Sequence, residues 1–497
     1  MSQVTAPSGH TWRVYRVFLP FGTPALEGIL VTSALDTLRR DFGGDLIEPG
    51  DAGYEAAARS RLVAGSPAYV LRPKTVADVQ AAVRFASGSG LALSVRGGGH
   101  GFAGFGTNDG GIVIDLGALA GVEVVEGAAG VDGGTPAGGS APVDGGARLV
   151  RIGGGATWGP VADALAPHGL AISSGDTKSV GVGGLTLSGG MGWKVRRYGL
   201  ALDSLVAAQL VTADGAVVTA SADEHPDLFW AIRGGGGNFG VVTSFEFVAH
   251  PTTRVFFGKV SFPAAEAAVV LQGWADYLRT APEELTSIAN LANPFAGGPE
   301  APVEIHVAFD GDDADAADRA LAPIRALGTV VADDVALTAY ADVLVEGATP
   351  PPGVHVLAHD GLVDRESVAE TLAILAEAGT TPGSPSIAVR SLGGAMSRVP
   401  GDATAYAHRQ AELMVTTFTG GPAPAIEAAR PALDALWDRL APHLHGAYAN
   451  FLSTADETDV TTVYPEPTYE RLAAVKRRYD PSNLFARNHN VRPGRMS

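Results

Sequence analysis

Short apolar runs around one amphipathic segment predict a β-α-β unit over residues 67–123. Thr75 is expected to cap the helix of this unit, with Asp78 three residues later completing a capping box. The helix is expected to end at Gly88–Gly90, because glycine tolerates the left-handed conformation that closes a helix. Three apolar runs predict the strands, at 68–71, 91–95 and 111–116.

A low-complexity stretch, 126–147, interrupts the next strand pair. It is too poor in apolar residues to fold alone, so we expect a loop without chemistry between strands at 122–124 and 149–152. A linker between two domains is the weaker alternative. Further apolar runs predict a helix from 161 to 165, a hairpin of 205–211 with 216–219, and a strand over 241–247.

The pattern changes after His250-Pro251, where strands alternate with alanine-rich helices up to residue 444. The predicted strands are 255–260, 303–309 and 413–418, and the predicted helices are 264–280, 314–327, 366–378 and 424–440. This order is typical of an antiparallel sheet with helices packed on it, so the expected fold class is α+β. In the tail, the sequence predicts a strand over 447–452 and a helix over 467–478.

Composition narrows the classes of function. The 497 residues suffice for two or three domains, and the net charge of −18 disfavours nucleic acid or an anionic membrane as a partner. The basic run Lys476-Arg477-Arg478 is interpreted as a solvated helix face. The absence of cysteine excludes disulfides and thiolate chemistry, and we expect a cytoplasmic protein. We find no signal-peptide pattern, and no run of about 18 apolar residues predicts a membrane helix.

Four glycine-rich turns between residues 95 and 240 carry the candidate chemistry. The first, Val95-Arg96-Gly97-Gly98-Gly99-His100-Gly101, follows an apolar strand. Three consecutive glycines let the backbone approach a ligand closely, and their N–H groups can line a nest for an anion, beside which Arg96 supplies a positive charge. For this heptapeptide alone, a surface turn with an incidental histidine is the alternative. The other turns lie at 153–158, 181–192 and 233–240.

Other cofactor and catalytic motifs are missing or badly spaced. The glycines at 181–184 do not give the spacing of a Rossmann domain, and no Walker A, H-E-x-x-H or Gly-x-Ser-x-Gly sequence occurs. We expect no metal site, because no carboxylate cluster accompanies His443 and His445, and the acidic residues at 310–315 are typical of a solvated helix start. Several anion-binding turns with one histidine fit a long, flat, phosphate-bearing cofactor such as flavin adenine dinucleotide (FAD).

Further motifs occur in a characteristic order, which includes Leu71-Arg72-Pro73, Arg96–His100, Gly153–Trp158, Val180–Gly184, Phe229–Gly240, Tyr448-Ala449-Asn450-Phe451 and Asn488-His489-Asn490. With them, the chain resembles bacterial berberine-bridge-enzyme-like oxidases of the vanillyl-alcohol oxidase / p-cresol methylhydroxylase (PCMH) superfamily. The resemblance implies a two-part FAD-binding domain over 1–250, with its PCMH-type core at 67–250. It also implies a substrate domain with an antiparallel sheet covered by helices over 251–444, and a C-terminal segment, 445–497, that returns to the FAD domain.

The resemblance implies that FAD is bound covalently to His100 through its 8α-methyl carbon; noncovalent FAD packed beside His100 is the alternative. Many relatives add a second bond from a cysteine, but Thr177 stands at that position, so a single histidyl link is expected. The other residues expected around the cofactor are Arg96, Gly97, Gly98, Gly99, Gly101, Ser174, Gly175, Thr177, Val180, Gly181, Gly183, Gly184, Val242, Asn488 and Asn490.

The implied reaction transfers a hydride from a C–OH or C–N bond of a small organic substrate (a secondary metabolite, a sugar or an alkaloid-like compound) to FAD, and O2 then reoxidises the flavin to give H2O2. Tyr448 is the candidate base, and Asn450 is expected on the same face of the predicted strand; a buried structural tyrosine is the alternative. Thr417 stands where some relatives carry an acid or amide base.

In this family, a small residue three positions past the second attachment position is associated with oxygen access. Val180 therefore favours an oxidase. A dehydrogenase with another electron acceptor and a flavoprotein without catalysis stay open as alternatives, as do the identity of the substrate and the oligomeric state.

Overall fold

Three β-sheets organise the chain in a computed structural model, which describes residues 34–125, 146–252, 254–291, 300–347, 349–351 and 353–494. The first two sheets are formed before residue 252, and the third is formed after it. The mixed helices and antiparallel sheets confirm the predicted α+β class. The domain limits at 250 and 444 stay a prediction.

The first sheet contains the predicted β-α-β unit. Its elements are α1 over 34–41, β1 (Asp45–Ile47), α2 (Tyr54–Ala58), β2 (Tyr69–Arg72), α3 (Val76–Ser89), β3 (Leu93–Arg96) and β4 (Ile112–Asp115). The strand order is β1-β2-β4-β3, with β2, β4 and β3 parallel. Thr75 and Asp78 form the predicted capping box, and Gly90 ends α3 with a φ of 70°.

The second sheet holds the hairpins that the sequence predicts. Its strands are β5 (Val122–Val124), β6 (Arg148–Gly153), β7 (Leu170–Ala171), β8 (Leu205–Val211), β9 (Val217–Ser221) and β10 (Val241–Pro251). Antiparallel pairing of β5 with β6 and of β8 with β9 confirms both predicted hairpins. Of the predicted loop at 126–147, residues 126–145 lie outside the described residues.

Four short helices accompany this sheet: α4 (Trp158–Leu165), α5 (Val182–Ser188), α6 (Val195–Tyr198) and α7 (Pro226–Ile232). Helix α5 lies within the segment predicted as a glycine-rich turn at 181–192, and α7 directly precedes the turn at 233–240. Side chains of α4, α5 and α7 pack on β6, β8 and β10 in one apolar core that includes Trp158, Val182, Phe229 and Phe245. The glycine turns are therefore attached to a rigid support.

The third sheet is antiparallel, with β14-β11-β13-β12-β17-β18-β16 in order and β15 on β11. The strands are β11 (Arg254–Phe262), β12 (Leu285–Leu291), β13 (Val303–Phe309), β14 (Ala332–Asp333), β15 (Ala336–Ala339), β16 (Val354–Val363), β17 (Ser386–Ser391) and β18 (Leu413–Pro422). The associated helices are α8 (Ala267–Leu278), α9 (Ala314–Arg325), α10 (Tyr340–Val343), α11 (Val368–Gly379), α12 (Ala395–Arg398) and α13 (Ala423–Leu440). Sequence analysis did not identify β12, β16 or β17.

Helices α8, α9, α11 and α13 bury one face of the third sheet, where Leu271, Leu372 and Leu436 pack against Val307 and Val389. The opposite face meets the first half of the chain: Ile288 and Ala308 share a core with Trp193. Side chains alternate between the two faces of a strand. The sheet therefore presents every second residue toward the glycine-rich turns.

The tail differs from its predicted strand at 447–452. Residues Ala449–Phe451 form one turn of 3₁₀ helix, closed by a bond from Phe451 N to Tyr448 O of 3.0 Å. The backbone N–H of Tyr448 donates to Asp360 Oδ1 at 2.5 Å instead of to a neighbouring strand. This side-chain acceptor competes with a strand partner, so the predicted strand is wrong.

Two helices follow, α14 (Glu457–Val463) and α15 (Glu466–Tyr479). The solvated face predicted for residues 476–478 is wrong at Lys476, which is fully buried on α15. Its Nζ donates to Asn238 O, Asp480 Oδ2 and Phe485 O at 2.7, 2.7 and 2.9 Å. The ammonium group thereby connects α15 to the glycine turn before β10. Within the described ranges, no helix combines the length and hydropathy needed to cross a membrane.

A buried ion pair joins the two halves of the chain. Arg409, just before β18, donates two bonds of 2.7 and 2.9 Å to Asp203, which lies just before β8, and a third to Thr404. Both charged side chains are 0% exposed. Removal of one partner leaves the other charge buried without compensation.

We expect Asp203→Ala to lower the free energy of unfolding by about 3–5 kcal/mol, because Arg409 loses its counter-charge in the interior. The matched control is Glu412→Ala, which removes a partly exposed pair with Arg279 and is expected to cost at most about 1 kcal/mol. Thermal unfolding followed by circular dichroism measures both. Equal shifts of the two midpoints would contradict the structural role assigned to Asp203.

Candidate active site

A cavity of about 330 Å³ lies where the glycine turns of the first half meet the tail. Most of its lining comes from five segments, at 96–106, 175–191, 236–242, 448–452 and 485–489. These segments are far apart along the chain, so tertiary packing alone brings them to one cavity. Most of the residues expected around the cofactor line it.

Two glycine turns touch backbone to backbone at its wall. A Cβ atom on Gly98 would lie 2.3 Å from the backbone N of Gly181, and a Cβ atom on Gly181 would lie 2.3 Å from the N of Gly98. Gly99 has a φ of 70°, in the left-handed region. Glycine is required at these positions because any side chain would separate the turns.

A similarly close backbone contact occurs at another part of the cavity wall. A Cβ on Gly154 would lie 2.0 Å from the carbonyl oxygen of Val242, and both residues line the cavity. By contrast, a Cβ on Gly101, Gly184 or Gly237 would meet nothing within 4 Å. These three glycines line the cavity and leave its interior accessible to a ligand.

The guanidinium of Arg96 is paired and hydrogen-bonded within the protein. Its guanidinium donates to Asp115 Oδ2 at 2.9 Å and to the carbonyl oxygens of Ala57 and Arg59 at 2.7 and 2.9 Å. It is 6% exposed. Arg96 therefore fixes the base of the glycine turn and lines the cavity with its charge paired to Asp115 of the adjacent strand. Its role beside a bound anion stays a prediction.

His100 lies at the end of this turn and lines the cavity. Its Nε2 lies 2.8 Å from Ser179 Oγ. Burial lowers the pKa of His100 to about 4, and nearby Arg61 acts in the same direction, while Asp176 opposes it. The imidazole is therefore neutral at physiological pH, because its pKa lies below the ordinary value of 6.5.

The segment at 175–184, which leads into α5, supplies six residues that line the cavity: Gly175, Thr177, Val180, Gly181, Gly183 and Gly184. Ser174 is buried beneath it and does not line it. Thr177 Oγ1 donates to Asp176 Oδ1 at 3.0 Å, and Arg390 of β17 donates to Asp176 Oδ2 at 2.6 Å. Burial would raise the pKa of Asp176, but Arg390 holds it below the usual range. Sequence analysis missed Asp176, since its partner lies 214 residues away.

Tyr448 and Asn450 meet at the cavity despite the absence of a strand. Tyr448 Oη accepts from Asn450 Nδ2 at 2.8 Å and from the backbone N–H groups of Gly190 and Met191 at 2.8 and 3.4 Å. Burial raises the pKa of Tyr448 above 10.0, although these donors act to lower it. The phenolic oxygen is thus surrounded by N–H groups, and its own proton is the one it has left to donate.

Three phenylalanines extend the wall beyond Tyr448. Phe102 and Phe451 line the cavity, and Phe418 of β18 contacts both, with ring centroids 5.7 and 6.0 Å apart. Thr417, which precedes Phe418 on β18, points to the opposite face of the sheet. There its Oγ1 accepts a hydrogen bond from Trp437 Nε1 at 3.0 Å. The position expected for an acid or amide base therefore does not reach the cavity.

The two tail asparagines are placed differently. Asn488 lines the cavity, and its Nδ2 donates to Phe485 O at 3.0 Å. Asn490 does not line the cavity. The Oδ1 atoms of both asparagines are buried without a hydrogen-bond partner among the described residues. Such unsatisfied acceptors call for a donor that the protein itself does not supply.

These features fit FAD. The open glycines leave room for a cofactor against main-chain N–H groups, which suit a pyrophosphate. The unsatisfied Oδ1 of Asn488 suits a ring N–H. Across the described part of the chain, no group of three or more acidic or histidine side chains could hold a metal ion.

Comparison with known proteins agrees with this geometry. A family profile described as an FAD binding domain matches residues 67–221, and one described as berberine and berberine like matches 447–492. The chain is 34% identical to (R)-6-hydroxynicotine oxidase of Paenarthrobacter nicotinovorans over 90% of this chain and 97% of that protein. It is 30% identical to chitooligosaccharide oxidase of Gibberella zeae over 95% and 98%.

The chain belongs to the berberine-bridge-enzyme-like FAD-linked oxidases. The crystal structure of 6-hydroxy-D-nicotine oxidase from Arthrobacter nicotinovorans superposes with a TM-score of 0.77 at 30% identity, covering 91% of this chain and 98% of that one. The xylooligosaccharide oxidase of Myceliophthora thermophila, at 24% identity and a TM-score of 0.79 over 94% and 100%, shares the fold. The predicted fold, the FAD cofactor and the oxidase activity are confirmed.

Further residues of this FAD-linked oxidase line the cavity, although sequence analysis left them out of its site. Gly236 and Gly237 line the cavity, as do Tyr464, Arg487 and His489. The glycines belong to the turn at 233–240, whose sequence already pointed to a close backbone approach. Tyr464 and Arg487 carry no local pattern that could have identified them, whereas His489 lies inside the motif Asn488-His489-Asn490.

We expect Gly98→Ala to lose most of its FAD, because the added Cβ would push the turn at 97–101 away from Gly181. The flavin absorbance per protein should fall at least about tenfold while circular dichroism stays close to that of the wild type. Gly88→Ala, in α3 with open space around it, serves as control and should keep its flavin. Full flavin content in Gly98→Ala would refute the close contact of the two turns.

Proposed function

We propose that this protein is an FAD-dependent oxidase that removes a hydride from a C–OH or C–N bond of a small organic substrate, with its FAD held by one covalent bond from His100 to the 8α carbon. When bound, FAD accepts the hydride and O2 reoxidises it, giving H2O2. The observation that carries this proposal is a neutral, half-buried imidazole at the wall of a glycine-lined cavity.

Neutral His100 is suited to the attachment. A nitrogen lone pair must be free to bond to carbon, and the low pKa of His100, about 4, keeps it free at physiological pH. Thr177, which lines the cavity where relatives carry a second attachment residue, has no thiolate to offer. A single bond is therefore proposed.

Tyr448 is proposed to accept the substrate proton while Asn450 holds its oxygen. The N–H groups of Gly190 and Asn450 favour a phenolate at this oxygen, because each donates to it at 2.8 Å. Burial opposes the phenolate and raises the pKa of Tyr448. Proton removal should therefore become faster as the pH rises.

The wall beyond Tyr448 favours a substrate with a planar aromatic ring. Phe102, Phe418 and Phe451 provide ring faces and edges, which pair well with other aromatic rings. The charged groups nearby, Asp176 and Arg390, already satisfy each other at 2.6 Å. Such a wall has few free partners for the many hydroxyl groups of a sugar. The similarity to (R)-6-hydroxynicotine oxidase, whose name indicates a substrate with a pyridine ring, supports the same class.

Val180 supports O2 as the electron acceptor. It lines the cavity three residues past Thr177 and packs against the core of the second sheet. Its small side chain leaves room for O2 beside the cofactor. A cytoplasmic location is part of the same proposal and rests on the absence of cysteine.

The covalent bond between His100 and FAD, called the tether below, is tested by acid precipitation. Wild-type protein should keep its flavin in the pellet, whereas His100→Ala should release it into the supernatant as intact FAD. Because the pKa of His100 is lowered to about 4, covalent attachment should proceed at a constant rate from pH 6 to 8 and slow only as the imidazole becomes protonated near pH 4. Wild-type protein that releases its flavin with acid would refute the tether.

The substrate class is tested by anaerobic bleaching of the flavin. Aromatic secondary alcohols and amines should bleach it, and xylo- or chito-oligosaccharides should not. Bleaching by oligosaccharides alone would reject the aromatic class. Slow reoxidation of the bleached protein in air would reject the oxidase in favour of a dehydrogenase.

With a substrate that bleaches the wild type, Tyr448→Phe should reduce the rate of bleaching by about 100-fold, the lower range for loss of a general base. The wild-type rate should rise by about tenfold per pH unit below the raised pKa of Tyr448, and this slope should vanish in Tyr448→Phe. Tyr277→Phe, whose hydroxyl donates to Ala320 O far from the cavity, is the control. An unchanged slope in Tyr448→Phe would assign the proton to another group.

A further inference from the structure

We propose that Ser179 is a positioning residue for covalent attachment of FAD: its hydroxyl holds Nε2 of His100, so that Nδ1 is the nitrogen that bonds to the 8α carbon. This inference rests on the proposed tether through His100. It assigns a role to a residue that neither the glycine motifs nor the cofactor-binding set contains.

The contact is short and specific. Nε2 of His100 and Oγ of Ser179 are 2.8 Å apart, across a sequence separation of 79 residues. Among the described residues, this is the hydrogen bond that the imidazole makes. In a neutral imidazole one ring nitrogen carries a proton and the other carries a lone pair. A proton on Nε2, donated to Ser179, leaves the lone pair on Nδ1.

The charges around the ring keep this neutral form. Burial and the guanidinium of Arg61 both disfavour a second proton on His100, and the carboxylate of Asp176 favours it more weakly. Within the described part of the chain, Arg61 and Asp176 are the charged groups that act on the ring. Ser179 therefore controls which ring nitrogen carries the one proton of the neutral imidazole. It does not control whether the imidazole gains a second proton.

Ser179 itself is held from two sides. Its carbonyl oxygen would lie 2.7 Å from a Cβ on Gly98, so it is packed against the first glycine turn. On the other side, the segment at 345–347 is paired with the loop that leads to Ser179: Lys178 N donates to Val345 O, and Val345 N donates to Asp176 O, each at 2.9 Å. These contacts fix the backbone of Ser179 beside His100, and the side-chain rotamer then brings the hydroxyl to Nε2.

Gly347 packs against both Ser179 and His100. A Cβ on Gly347 would lie 2.3 Å from Ser179 Oγ and 2.9 Å from Cε1 of His100. A glycine here lets the segment at 345–347 press on the histidine and the serine together. This segment follows α10, so a part of the chain beyond residue 251 helps to orient an imidazole that belongs to the first half.

Covalent attachment of FAD is a two-electron oxidation. The electrons are accepted by O2, which is also the oxidant in the oxidase activity. The lone pair of Nδ1 forms the bond to the 8α carbon, and one C–H bond of the methyl group breaks. The proton from that carbon and the proton from Nε2 are released, and the two electrons of the broken C–H bond are finally taken up by O2. Two protons and two electrons convert O2 to H2O2. Ser179 accepts the hydrogen bond of the Nε2–H while positive charge develops on the imidazole.

The test is the rate and the site of attachment when FAD is added to full-length protein purified from riboflavin-limited cells. Ser179→Ala should bind FAD as well as the wild type but attach it about tenfold more slowly, a factor equivalent to about 1.4 kcal/mol. The attached fraction should contain Nε2-linked as well as Nδ1-linked histidine, distinguished by NMR of the flavin peptide. Ser179→Thr, which keeps a hydroxyl, should restore both the rate and Nδ1 linkage.

Ser89→Ala, at the end of α3, controls for loss of a serine hydroxyl and should attach FAD at the wild-type rate. If Ser179→Ala does not fold, Gly347→Ala probes the same contact, since its Cβ displaces the Ser179 hydroxyl, and slow attachment is expected there too. Attachment at the wild-type rate and through Nδ1 alone, in Ser179→Ala or in a Gly347→Ala that replaces it, overturns the role of Ser179 while the tether stands. Wild-type protein that never attaches FAD overturns both.

Discussion

The close contact between two backbone turns, at Gly98 and Gly181, is the constraint on which the site depends. No side chain fits between them, because a Cβ atom on either glycine would lie only 2.3 Å from the amide nitrogen of the other. The contact fixes the direction in which each turn presents its N–H groups. It also sets His100, two residues beyond Gly98, within hydrogen-bond distance of Ser179, two residues before Gly181.

The end of the cavity at Tyr448 is formed by both halves of the chain. Tyr448 receives N–H bonds from the turn at Gly190 and Met191, while its own backbone is held by Asp360 of the third sheet. Asp176 pairs with Arg390 in the same region. The shape of this end therefore depends on both halves, and the buried pair of Arg409 with Asp203 keeps the halves together.

Two expectations from the sequence were wrong for one physical reason, which is that a partner distant in the chain captures a polar group. The carbonyl oxygen of Asn238, 238 residues away along the chain, helps to hold Lys476 in the interior. Asp360 takes the backbone N–H of Tyr448 and prevents the strand at 447–452. Local patterns report periodicity and turn chemistry, and none of these partners lies in the same local pattern.

Tyr448 and Asn450 are adjacent for a reason that the sequence did not contain: a turn, and not a strand, brings the amide onto the phenolic oxygen. The sequence by itself determined the β-α-β unit with its capping box, the glycine turns, and the lack of any thiol for a second attachment, because these depend on neighbouring residues or on composition alone. Tertiary structure decided the protonation of His100, its pairing with Ser179 and the aromatic wall. Each of these depends on burial and on contacts between segments that meet only once the chain has folded.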